Sequence, residues 1–208
     1  MRIATWNMDD WRRSEELKER AWTFLRERVA PDVALLQEAR PRGELAGSVF
    51  RSGGIRDERG AGPKDLGWGS AVVSFGPSLE AVADAHGPFR TEPNPILRTF
   101  PESVAVADVE GSEPLVVVSV YGLIDRGYAD TTIHRILSDL TPLVDERRAR
   151  RMVIAGDLNR QNDCIFVTAD ILERKPVLTV FDEEEAWELG GHCPLAIEWH
   201  EAGARWAS

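Results

Sequence analysis

Short apolar runs rich in valine and alanine recur along this chain and constrain its fold more than any other feature, because several of them end in polar residues. The segments Asp32 to Glu38, Gly69 to Ser74, Leu79 to Asp84, Val104 to Val109, Leu115 to Tyr121 and Met152 to Ala155 are each too short for a typical buried helix and are bounded by turn residues. They read as strands, several of them buried. Arg2 to Trp6 alternates weakly and reads as a first strand, while Cys164 to Thr168 and Leu195 to Trp199 complete the set. Two stretches switch to helical spacing. After Ser14, a good N-cap followed by Glu15 and Glu16, apolar residues stand at Leu17, Ala21, Phe24, Leu25 and Val29, and Pro31 ends the pattern. From Thr131 the apolar positions Ile133, Ile136, Leu137, Leu140 and Val144 predict a second helix, with Asp130 as its cap and Pro142 as a kink. The class is α/β, opening β-α-β.

The segment from Arg51 to Gly67 is too rich in glycine and charge to pack and reads as a surface loop, and Pro88 to Pro101 excludes a central strand. Arg147, Arg148, Arg150 and Arg151 close the second helix, where four cations suit the helix macrodipole and read as a solvated end, with a phosphate-binding patch as the alternative. Asp182 to Glu185 reads as an acidic turn.

With 208 residues, 43% hydrophobic and 29% charged, the chain is expected to form one domain over 1–208, with its core at about residues 2–200. Cys164 and Cys193 lack CxxC spacing and are too few for a disulfide framework, which fits a reducing compartment. The amino-terminal MRIATWNMDD has no basic and apolar leader pattern, and no apolar run reaches membrane-spanning length, so a cytoplasmic protein without a membrane partner is expected. Twenty-five Lys and Arg against 35 Asp and Glu make a net charge of -10, which disfavours general nucleic-acid affinity unless cations or a local basic face offset it.

Strand ends in this chain collect amides and carboxylates: Trp6-Asn7, Gln37-Glu38, Tyr121, and Gly156-Asp157-Leu158-Asn159. Oxygen ligands suit Mg²⁺, and amide donors suit phosphoryl oxygens. Singly, each of these also reads as a turn former or a solvated rim residue. Taken in order, W-N-x-D, then Q-E about thirty residues on, then a tyrosine ending a valine-rich strand, then G-D-L-N, then H-x-P resembles the DNase-I-like endonuclease/exonuclease/phosphatase superfamily. The resemblance runs from Arg2 to Trp199. It implies an α/β four-layer sandwich, two mixed β-sheets packed face to face with helices outside.

The resemblance also implies roles. Glu38 would be the principal ligand of Mg²⁺, or of Mn²⁺, with Asn7 beside it and Asp9 as a second metal contact. Asp157 would orient or deprotonate the attacking water, Asn159 would bond that aspartate or the phosphate, and Tyr121 would donate to the scissile phosphate. His192 would serve proton transfer or charge stabilisation, with Asp163, in a segment resembling the superfamily strand R-x-D-Y-I-F-x-S, fixing its tautomer. His86, His134 and His200 match nothing and read as surface or structural residues.

The chain departs from the pattern twice. Gly191 stands where the superfamily presents an aspartate before the histidine, and only Arg160, Gln161 and Asn162 separate the G-D-L-N motif from Asp163. Two functions therefore remain open. One is a metal-dependent phosphodiesterase or phosphomonoesterase acting on a phosphate-ester substrate, small molecule or nucleic acid. The other is a non-catalytic binding domain that retains the fold.

Overall fold

Alternation along the strands sorts the apolar side chains into three layers, and the layers set the architecture. The computed structural model describes residues 1–52, 69–82, 103–111, 113–122, 129–146, 150–159 and 163–200. Most of the expected loop from Arg51 to Gly67, the Pro88 to Pro101 connection, His86, Arg147 and Arg148, the connection at 160–162 and the tail after Glu201 lie outside the described residues.

One mixed sheet contains β1 (Arg2–Asn7), β2 (Val33–Ala39), β3 (Gly47–Ser52), β4 (Gly69–Ser74), β10 (Val177–Val180) and β11 (Leu195–Glu198), in the order β10-β11-β1-β2-β4-β3. The second contains β5 (Leu79–Ala81), β6 (Val104–Val109), β7 (Leu115–Tyr121), β8 (Arg151–Asp157) and β9 (Asp163–Val167), in that order. Each sheet has one parallel pair, β1 with β2 and β7 with β8, among antiparallel neighbours.

Between the sheets pack Ile3, Val33, Leu35 and Val72 from one side and Ala105, Leu115, Val117 and Val153 from the other. Each fully buried valine or leucine in this layer contributes on the order of 2 kcal/mol. The opposite face of the first sheet, with Ala4, Trp6, Ala34 and Leu36, packs on α1 (Glu15–Phe24) and α4 (Glu184–Gly190) through Trp22, Phe24 and Leu189. The outer face of the second sheet, with Val104, Val106, Val116 and Val118, packs on α2 (Ala129–Glu146) through Ile136, Leu140 and Leu143. This is the expected four-layer sandwich of helix, sheet, sheet, helix.

Several local expectations need correction. Helix α2 starts at Ala129, so Asp130 lies inside it and is not the cap. Its buried stripe is Ile133, Ile136, Leu140 and Leu143, while Leu137 and Val144 are exposed. The acidic segment at 182–185 is not simply a turn: Glu184 and Glu185 open α4, where carboxylates suit the positive end of the dipole. The strand from Leu79 ends at Ala81. Strands β3 and β10 and the short α3 (Ala169–Glu173) have no counterpart among the sequence expectations; β10 lies at a sheet edge with Val177, Leu178 and Val180 exposed, so it has no burial alternation to read. The Ser14 cap is as expected, its Oγ accepting from Leu17 N at 3.3 Å, and the helix runs into a π-turn over Leu25–Val29. No described helix is long and apolar enough to cross a membrane.

Candidate active site

The inward-facing rows grow more polar toward one end of the sandwich. Ile3 gives way to Thr5 and Asn7, Leu35 to Gln37, Val117 to Ser119 and Tyr121, and Ala155 to Asp157. Thr5, Gln37 and Ser119 are fully buried and satisfy one another: Gln37 Nε2 donates to Ser119 Oγ at 2.9 Å, and Ser119 Oγ donates to the Leu36 carbonyl at 2.9 Å. This hydrogen-bonded layer joins the two sheets beneath the charged residues, since a buried polar group without a partner would cost about 1–3 kcal/mol. Both parallel pairs point the same end upward, pairing Asn7 with Gln37 and Tyr121 with Asp157.

Glu38 follows Gln37 and by strict alternation would face the helices. It instead adopts φ 48, at a register break between Leu36 and Ala39 against β4. A bulge of this kind re-aims a side chain, and a left-handed glutamate costs roughly 1 kcal/mol or more that the surrounding contacts must offset. Those contacts are three donors. Asn7 Nδ2 donates to Glu38 Oε1 at 3.1 Å, the Tyr121 hydroxyl donates to the same oxygen at 2.6 Å, and Trp11 Nε1 donates to Oε2. Burial, and then the neighbouring Glu38 charge, push the Tyr121 phenol far up, so it remains a donor. Asp9 at φ 47 and Asn159 at φ 52 share the left-handed conformation, placing strain where the site is assembled.

Asp157 ends β8 and is buried. Its Oδ2 accepts from Asn7 Nδ2 at 2.8 Å, and its Oδ1 accepts from the Asn159 backbone N–H at 2.7 Å. One amide of Asn7 thus ties Glu38 to Asp157 across the two sheets. The Asn159 side chain turns away from this carboxylate and donates to the Gly122 carbonyl at 2.6 Å, while Gly122 N donates to the Asp157 carbonyl at 2.7 Å. Gly122 must be small, because a Cβ there would lie 2.6 Å from the Leu158 carbonyl oxygen.

Strand pairing puts Asp163 directly opposite Asp157. His192 enters from the other sheet, with Nδ1 3.5 Å from Asp163 Oδ1 and Nε2 3.9 Å from Asp157 Oδ2. The first contact is at the outer limit of hydrogen bonding, and Asp163 Oδ1 is buried without a partner of standard geometry. The contact with Asp163 is the main influence holding His192 above its ordinary value near 6.5; burial opposes it, and the charges of Asp163, Asp157 and Glu38 reinforce it. Because the folded value is raised, the resulting stability is fully present below the unfolded value and is lost as pH rises through the folded one. Asp163→Asn is expected to bring the His192 titration, followed by NMR of the imidazole Cε1–H, back toward the ordinary value. An unchanged titration would remove Asp163 as its partner.

Gly190 and Gly191 have separate structural reasons. A Cβ at Gly190 would lie 2.4 Å from Trp6 Nε1, which donates to the His192 carbonyl at 2.8 Å and so anchors the histidine. Gly191 has φ 71 and caps α4, a conformation that suits glycine. An aspartate at 191 would therefore be strained by on the order of 1 kcal/mol, and its Cβ would stand 3.2 Å from Arg13 Nη2 and 3.8 Å from Asp9 Oδ2. Arg13 fills this gap, donating to the Glu188 carbonyl at 2.8 Å and pairing with Asp9 at 3.4 Å. Burial and then Glu38 raise the Asp9 carboxyl above its usual range.

The structure thus gathers Asn7, Glu38, Tyr121, Asp157, Asn159, Asp163 and His192, with Asp9 at the edge. Sequence reasoning missed Trp11 and Arg13 as parts of the site, for which the W-R-R after two aspartates was the available signal, and it named Trp6 in its motif without its bond to the His192 carbonyl. His134 and His200 are exposed and lie outside the cluster. Burial raises both cysteine thiols, leaving them protonated and poor nucleophiles.

No family model matches the chain, and no curated protein matches it. Solved structures do. The endonuclease domain of TRAS1, a telomere-specific non-LTR retrotransposon, aligns with TM-score 0.64 at 14% identity over 97% of this chain and 99% of that one. The catalytic domain of Xenopus laevis APE2 aligns with TM-score 0.61 at 13% identity, covering 96% and 91%. An endonuclease/exonuclease/phosphatase family protein from Leptotrichia buccalis aligns with TM-score 0.56 at 13% identity, covering 97% and 100%. The chain therefore has the DNase-I-like fold of endonuclease/exonuclease/phosphatase structures.

Proposed function

We propose that this protein is a divalent-metal-dependent phosphoesterase that hydrolyses phosphodiester or phosphomonoester bonds. The observation that carries the reading is the convergence of Asn7, Glu38, Asp157, Asp163 and His192, from both sheets, at one end of the sandwich. The donor set fits a hard cation. Glu38 and Asp9 offer carboxylate oxygens, the Glu38 charge helping to raise the Asp9 carboxyl, and the buried Asp163 Oδ1 has only the long contact to His192 Nδ1. A carboxylate offers about four acceptor sites; three at Glu38 are filled by protein donors, leaving one for a metal.

Glu38, with Asn7 and Asp9 beside it, would hold Mg²⁺ or Mn²⁺. The bound cation would supply neutralisation of phosphoryl and leaving-oxygen charge. Asp157, fixed on both oxygens by Asn7 and Asn159, would accept a proton from an attacking water. His192, its pKa raised chiefly by Asp163, would stabilise the equatorial oxygens or donate a proton. Asn159 positions the loop that carries Asp157, and Tyr121 holds the Glu38 carboxylate in place, a role that differs from donation to the phosphate. The alternative, a non-catalytic domain, draws on Gly191, which contributes no carboxylate.

Glu38→Gln is expected to weaken Mn²⁺ or Mg²⁺ binding by at least about tenfold in calorimetry, beyond a stability loss of roughly 1–3 kcal/mol from turning an amide toward one of the donors that Glu38 now accepts from. Metal affinity unchanged by the substitution would contradict the role of Glu38. Absence of any metal-supported turnover of a generic aryl phosphodiester by the native chain would favour the non-catalytic domain.

A further inference from the structure

Trp11 has no assigned part in this chemistry, yet it sits against the central carboxylate. It belongs to a single 3-10 turn, Asp10–Arg12, launched by Asp9 in the left-handed conformation, whose backbone N–H is held by Asn7 Oδ1 at 3.0 Å. The indole Nε1 donates to Glu38 Oε2, while 49% of the residue remains exposed. The Arg12 guanidinium lies over the ring, 4.3 Å from its centroid, and the Arg12 side chain is itself 64% exposed. Trp6, Trp22 and Trp199 are buried in the core, and Trp187 on α4 is exposed to the same degree as Trp11.

We propose that Trp11, with Arg12 on its face, is a stacking platform for a nucleobase adjoining the phosphodiester bound at Glu38. The proposal rests on the phosphoesterase reading of the site and deepens it by naming the substrate class. A tryptophan oriented by a hydrogen bond loses little conformational freedom when a flat ring stacks on it. Indole and guanidinium planes are both favoured surfaces for bases, and an arginine on the ring adds a cation for the neighbouring phosphate. A lipid chain does not fit this position, because the adjoining residues Asp9, Asp10, Arg12 and Arg13 are charged. The net charge of -10 confines nucleotide attraction to such local contacts, so the footprint is short.

The test uses the full chain and hydrolysis-resistant phosphorothioate probes: a thymidine dinucleotide, the matching diester lacking the bases, and an oligothymidylate of about eight residues. Native protein is expected to bind the dinucleotide about tenfold more tightly than the abasic diester, the scale of one stacked base. Trp11→Ala should reduce that ratio to less than about twofold, whereas Trp11→Phe, which retains an aromatic face but loses the donor to Glu38, should keep most of it. Any loss shared equally by both variants and both probes reports the Glu38 contact instead. Equal binding of the two probes by native protein, or a base preference that survives Trp11→Ala, would overturn the platform. Tighter binding of the longer strand would identify nucleic acid as the source of the base; equal affinity would identify a small nucleotide. Base preference without metal-supported hydrolysis would refute the phosphoesterase reading and leave the platform standing, and hydrolysis without base preference would do the reverse.

Discussion

Asp157→Asn is expected to lower the rate of phosphoester hydrolysis at saturating metal by at least about a hundredfold, the scale of losing a positioned base. The environment of Asp157 argues for a specific loss. Both of its oxygens accept from fixed donors, Asn7 Nδ2 at 2.8 Å and Asn159 N at 2.7 Å. An asparagine can turn its carbonyl toward only one of them, and its amide then faces the other donor. That mismatch costs roughly 1–3 kcal/mol, within reach of a stable fold but enough to move Asn7 and, through it, Glu38. Rate at saturating metal, metal affinity and thermal unfolding should be measured together. A near-native rate would transfer water activation to another group, and His192 would be the next to examine.

Gly156→Ala is expected to abolish the native fold or lower stability by more than about 5 kcal/mol, a loss comparable to the whole stability of many domains. Gly156 pairs with Val120 in the parallel register between β7 and β8. A Cβ there would lie 1.8 Å from the Val120 carbonyl oxygen, and the next nearest atoms, Val120 C and N, are also backbone, so no side-chain rotation relieves the clash. The strands would have to separate at the position just before Asp157. Gly76→Ala is the control, since a Cβ at Gly76 meets nothing within 4 Å. Thermal unfolding and backbone amide spectra of the two variants would decide the matter; a melting temperature for Gly156→Ala within a few degrees of native would show that β7 and β8 can part there at little cost.

The order of motifs along the chain makes much of the site legible. Asn7, Glu38, Asp157 and His192 are all visible in the sequence as polar residues at the ends of apolar segments or within family-like motifs, and Asp163 is readable through its strand. Their separate contacts are not legible. Tyr121 donates to Glu38, the Asn159 side chain turns to Gly122, and one Asn7 amide bonds both Glu38 and Asp157. Such partners depend on bulges and left-handed residues, and Glu38, Asp9 and Asn159 all have positive φ without being glycine. Aspartate and asparagine tolerate that region, but no propensity predicts it at Glu38, where the surrounding contacts impose it. Gly191 stands in the sequence as a missing carboxylate, whereas in the fold it is the left-handed cap of α4 beside the Arg13 and Asp9 pair.

Apolar runs and helical spacing mark the strands and helices of an α/β chain, while their arrangement as two packed sheets with helices outside was implied by the resemblance of the ordered motifs and not by periodicity. Only the tertiary structure decided which side chains meet. Asn7 and Asp157 are 150 residues apart, and their 2.8 Å contact exists because one sheet packs across the other with both parallel pairs ending at the same rim. Local periodicity encodes which face a residue occupies, but a contact between sheets depends on where they lie against each other along the strands. That placement is settled by the packing of Val33, Leu35, Val117 and Val153 and by the buried bond from Gln37 to Ser119, which no single segment contains.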